Sequence, residues 1–92
     1  WVMLKRIDST SSWHMWDNKR EDYDSNVNNT ALRADASGAE NDSTDYSIDF
    51  LSNGFKLRNA SDLDNNSSGT FIYMAFAEHP FVSSKGVPVT AR

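Results

Sequence analysis

Cysteine is absent from this 92-residue chain, so neither a disulfide nor a thiolate metal centre can supplement its core. That absence fits any compartment. Histidine is nearly absent: His14 and His79 are the only two, and a zinc site would need further nitrogen or sulfur donors. No apolar run approaches the roughly 20 residues that cross a bilayer, and no signal-peptide pattern is seen. A basic surface is missing as well. Nine Lys and Arg stand against thirteen Asp and Glu, a formal charge of −4, and Lys19-Arg20 runs straight into Glu21-Asp22. Binding to nucleic acid through phosphate contacts is therefore not expected. The first residue is Trp1 rather than methionine, which leads us to expect a fragment or a processed product.

What is present points to one small β domain over residues 1–92. A chain of this size buries roughly 60–65% of its unfolded surface, enough for a single core. Ser, Thr, Asn, Asp and Gly fill the spaces between apolar segments, and these residues favour turns and caps over helix interiors. Residues 1–7, WVMLKRI, read as a strand with Val2 and Leu4 on one face and Trp1, Met3 and Ile7 on the other. A polar turn over 8–12 leads into a second strand, WHMWD at 13–17, and the two form an antiparallel hairpin. Residues 18–30 lack periodicity and read as loop. Residues 30–37, TALRADAS, support either a short helix capped by Thr30 or an edge strand; Gly38 arrives early for a helix and favours the strand.

The strongest local signal is YSIDFLSNGFKLRN at 46–59. Asn53-Gly54 reads as a two-residue hairpin turn. Counting outward pairs Phe50 with Leu57 and Asp49 with Arg58, placing Ile48, Phe50, Phe55 and Leu57 on one apolar face. Residues 71–77, FIYMAFA, are apolar without a break and read as a strand buried on both faces, central in its sheet. On that reading, Phe76→Ala or Met74→Ala is expected to cost about 2–5 kcal/mol. Loss of an exposed Asp49–Arg58 pair is expected to cost under about 1 kcal/mol. The fold class expected is all-β, an antiparallel β-sandwich of jelly-roll-like character.

The closing segment 69–92, GTFIYMAFAEHPFVSSKGVPVTAR, resembles one that closes many tail-fibre-like structural proteins of marine bacteriophages. The likeness extends, in order, to the opening strand WVMLKR, the Asp8-Ser9-Thr10 turn, the aromatic strand at 13–17, Ile48-Asp49-Phe50 and the segment 52–57. Each motif is ordinary strand and turn chemistry; the ordered set carries the resemblance. It implies a virion protein on the phage tail or capsid surface, a homo-oligomer (a trimer by the same resemblance) bound to other virion proteins. The function implied is a non-enzymatic tail-fibre or appendage module that serves assembly and host-surface adhesion. A capsid-decorating or fibre-anchoring protein, and a stand-alone glycan-binding module, are the alternatives. Members of that family carry further β segments ahead of the strand that begins here at Trp1, so upstream strands are expected to be missing from this chain.

Individual sites are weakly marked. Trp13 and Trp16 are the candidates for a glycan platform, because sugars stack on indole rings. They point to opposite faces of one strand and so cannot share a platform; core or interface roles compete. Residues 22–26 and 62–66 resemble the start of a calcium loop but lack its later glycine and glutamate. No nucleophile elbow or phosphate loop is present, and nothing singles out a pair of carboxylates. No catalytic residue, metal or cofactor is assigned.

Overall fold

The computed structural model describes residues 1–20 and 27–77, together with the backbone of 81–82 and 88–89. Its elements are the strands β1 (Val2–Arg6), β2 (His14–Trp16), β3 (Thr30–Arg33), β4 (Asn41–Asp42), β5 (Ile48–Leu51), β6 (Gly54–Leu57), β7 (Phe71–Ala75), β8 (Phe81–Val82) and β9 (Pro88–Val89). A single 3-10 turn, Thr44–Tyr46, precedes β5, its first turn capped by the Ser43 hydroxyl, which accepts from the Asp45 N–H. The expected all-β antiparallel sandwich is the fold observed. One layer is a five-stranded sheet of order β4-β3-β2-β1-β7, and the other is the β5–β6 hairpin. β8 and β9 pair with each other. Strands β1 to β3 follow one another as hairpins. The chain then crosses to the second layer and returns so that β7 lies beside β1, the Greek-key connection from which jelly rolls are built.

Register explains the core. Val2 stands opposite Trp16 on one side and Ala75 on the other, and continuing the β2–β3 register sets Ala31 beside Trp16. This row, Ala31–Trp16–Val2–Ala75, faces the hairpin. Small alanines flank the row, leaving room for the indole. Trp16 is fully buried, with Val2, Leu4, Ala31 and Ile48 around it, and Tyr46, Phe50, Phe55 and Leu57 close the cluster from the second layer. The indole N–H donates to the Tyr46 carbonyl at 2.9 Å, so its one polar atom is satisfied by the layer that covers it.

Asn28 ties the layers together at the crossing. Its backbone exchanges two hydrogen bonds with Ile48, at 2.8 and 2.9 Å. Its side-chain amide donates to the Asp17 carbonyl at 2.7 Å and accepts from the Thr30 N–H at 3.1 Å. Buried and fully partnered, it fixes where β3 starts relative to β5.

Three expectations need correction or refinement. Residues 30–37 form a strand and not a helix, but the strand ends at Arg33 and lies next to the edge, with β4 outside it. In the β5–β6 hairpin the pairs are Ile48–Leu57, Asp49–Lys56, Phe50–Phe55 and Leu51–Gly54. The turn therefore centres on Ser52-Asn53. Of these two residues only Gly54 takes a positive φ, +156°, whereas a type I′ turn on Asn53-Gly54 would require it at both and a type II′ turn at Asn53. The shift moves each pairing by two residues in sum, so the apolar face is kept. Asp49 still meets Arg58, diagonally at 3.3 Å, but its carboxylate is buried rather than exposed.

The largest correction concerns β7. It is the edge strand of the five-stranded sheet, and Ile72, Tyr73, Met74 and Phe76 are 46%, 61%, 49% and 54% exposed. Its apolar character reflects surface that no other described segment covers. The energetic ranking of core and edge follows. Trp16→Ala should cost about 3–5 kcal/mol, whereas Met74→Ala should cost about 1 kcal/mol or less in the monomer. Urea unfolding of both variants in dilute solution measures this, and comparable losses would contradict the layering.

Candidate functional site

The two tryptophans singled out by sequence sit in different settings. Trp16 is core and has no face open to a ligand. Trp13 is half-buried on the opposite, outer face of the sheet, and its backbone N–H donates to Asp35 Oδ1 at 3.1 Å. They do not form a shared site.

Between them, His14 lies in the core beside Trp16 and Tyr46, with ring centroids 6.0 and 5.1 Å away. Its Nδ1 is 2.6 Å from Oδ1 of Asp64, and both side chains are buried. The pair joins β2 to the 59–70 loop. Asp64 is thereby committed, and Asp62 accepts from the Asn66 amide at 2.7 Å. Among the described residues no group of acidic or histidine side chains is arranged to hold a metal. The second calcium-like segment, 22–26, and His79 lie outside the described residues.

A second clamp sets β7 in place. Arg6, at the end of β1, donates from Nε to Asp8 at 2.8 Å and from Nη1 to the Asp62 carbonyl at 2.6 Å. Gly69 permits this approach, since a Cβ there would lie 2.7 Å from the Phe71 ring and 3.2 Å from Arg6 Nε. The Arg6 hydrogen bond, joined by the Thr70 N–H, holds the Asp8 carboxyl down to about 2. Elsewhere the Trp13 N–H lowers Asp35.

Two accessible features converge on β7. The first is its outer edge. Phe76 N–H donates to the Trp1 carbonyl at 2.8 Å and Ile7 N–H to the Thr70 carbonyl at 2.9 Å. The antiparallel alternation then turns Thr70, Ile72, Met74 and Phe76 toward β1 and leaves the backbone N–H and C=O of Phe71, Tyr73 and Ala75 facing outward. Among the described residues no strand pairs with that edge. Beside it, Met74, Met3, Met15 and Leu32 stand in one register row across the outer face. The second feature is a cleft of about 550 Å³ where the end of β7 and the start of β1 meet the turn between β5 and β6. Its walls are two aromatic pairs: Trp1 with Phe76, centroids 5.6 Å apart, and Phe55 with Tyr73, 5.2 Å apart and edge-on.

Neither feature was reached from sequence: the cleft is lined by residues from four separate segments, and the edge depends on which strands flank β7. The cue that did exist was the uncharged run at 71–77, read there as a core strand.

The Asp8 clamp carries a pH signature. Unfolded, the carboxyl titrates near its ordinary value of about 4, so on acidification the unfolded chain takes up the proton first. The stabilisation is whole above about pH 4 and is lost as pH falls toward about 2. Asp8→Asn should therefore make the unfolding midpoint fall less steeply with acid than in the wild type, as followed by urea titration across that range; identical slopes would contradict the clamp.

Comparison with known proteins adds one finding. No curated protein and no solved structure matches the chain. A family model described as "Domain of unknown function (DUF7483)" matches residues 1–80, most of the chain including every strand from β1 to β7, and the chain belongs to this family.

Proposed function

We propose that this domain is a non-enzymatic structural module that assembles with further copies of itself through the free edge of β7. The setting is the one its sequence resemblance implies, a phage tail fibre or related virion appendage. One observation carries this reading: of the sheet's two edges, only one is guarded. β4 closes its side with two residues, Asn41 and Asp42, short and charged as protected edges are. β7 closes the other with five uncharged residues, FIYMA, containing no proline.

A strand with free outward N–H and C=O groups and apolar side chains on both faces is a template for another strand. A second copy of β7 answers both needs, because antiparallel pairing about a twofold axis brings the same groups together from each side. The methionine–leucine row on the outer face adds apolar surface next to the seam. A trimer, the symmetry implied by resemblance, would need the edge to meet a different surface of its neighbour. Capsid decoration and fibre anchoring use the same property and differ only in location.

Light scattering over a range of concentrations tests the reading. The wild type should rise in mass with concentration. An Ile72→Lys/Met74→Lys double variant, which places charge on the edge strand at half-exposed positions, should remain a monomer with an unchanged circular dichroism spectrum. A wild type that is monomeric at every concentration would overturn the proposal.

A further inference from the structure

The cleft at the end of the sheet adjoins the edge of β7, with which it shares Tyr73 and Ala75, and has a chemistry of its own. We propose that it is a binding site for a neutral sugar ring. Its volume, about 550 Å³, lies within the range of small-molecule sites, which combine apolar walls with a few polar groups. The walls here are the Trp1–Phe76 and Phe55–Tyr73 ring pairs. Phe76 and Tyr73 are more than half exposed, so their rings are available to a ligand.

The rim supplies the polar part. Ser52 and Asn53 stand exposed on the turn above the cleft. Neither side chain makes a hydrogen bond among the described residues. An amide offers two donors and an acceptor, and a hydroxyl offers one donor with acceptor capacity. This mixture meets a ring of alternating hydroxyls. A purely apolar ligand would leave it unsatisfied on burial.

Charge narrows the class. No charged side chain lines the cleft among the described residues. A carboxylated or sulfated sugar would have to be desolvated with no cationic side chain among the described lining residues to receive it. A pyranose has apolar C–H faces for the rings and neutral hydroxyls for Asn53 and Ser52. It satisfies all three constraints.

The cleft shares Tyr73 and Ala75 with the assembly edge, but the residues charged in the assembly test, Ile72 and Met74, do not line it, so the two readings are tested separately. The test is an NMR titration of dilute, ¹⁵N-labelled wild-type protein with maltotriose and cellotriose at millimolar concentration, with trigalacturonic acid as the charged comparison. Shifts should cluster on the Asn53 side-chain amide and the backbone amides of 53–55 and 73–77 with a neutral sugar and be absent with the acidic one. Asn53→Ala and Phe76→Ala, both at exposed positions, should each weaken binding roughly ten-fold, the loss of one contact of about 1.4 kcal/mol, while the rest of the spectrum stays native. Absence of shifts with both neutral sugars, shifts centred away from the cleft, or equal response to the acidic sugar would each overturn the proposal. So would cleft shifts that appear on concentrating the protein alone and not on adding sugar, which would assign the cleft to contacts between copies.

Discussion

The fold depends on one indole being covered from one side. Trp16 lies in the row Ala31–Trp16–Val2–Ala75, and its N–H reaches the Tyr46 carbonyl of the opposite layer. That hydrogen bond positions the start of β5, and the two backbone bonds between Asn28 and Ile48 hold the same strand from its other side. With β5 fixed, the apolar face of Ile48, Phe50, Phe55 and Leu57 closes over the indole. A hairpin of two strands cannot cover a sheet of five. The strand farthest from the core on the β1 side, β7, is left with its edge and much of its side-chain surface open.

How the chain manages the remaining polar groups sharpens this picture. Buried Asn28, His14 and Asp64 each connect elements distant in sequence, and Arg6 with Asp8 fastens the β1–β2 turn to the start of β7. Charge is thus concentrated where segments must be tied down and at the β4 edge. Among the described residues no charged side chain lies on β7 or lines the cleft beside it. The uncharged edge and the aromatic cleft meet at Tyr73.

Much of the fold was legible in the sequence. Alternation in WVMLKRI and WHMWD placed Val2, Leu4 and Trp16 on their faces, and the polarity of 8–12 marked the turn between them. The hairpin at 46–59 was legible as a hairpin, and its apolar face was correct, because a register shift of two residues in sum preserves which side chains face inward. Its pairing was not, because Asn53-Gly54 carries the same letters whether both residues or only Gly54 takes positive φ. The run at 71–77 failed for a different reason. Apolar composition records that a surface gains by leaving water, not which layer or chain would cover it. The cleft was beyond reach because Trp1, Phe55 and Phe76 meet only after three segments have folded, and the tryptophans that looked most exposed to function, Trp13 and Trp16, lie elsewhere.

Amide hydrogen exchange along β7 tests the central claim most directly, since it reads the edge one residue at a time. In dilute protein the amides of Ile72, Met74 and Phe76, which donate to β1, should exchange slowly, and those of Phe71, Tyr73 and Ala75 should exchange fast. At high concentration the second set should become protected as another strand takes the edge. Uniform protection of all six at the lowest concentration would contradict the account, placing β7 inside a sheet rather than at its open side.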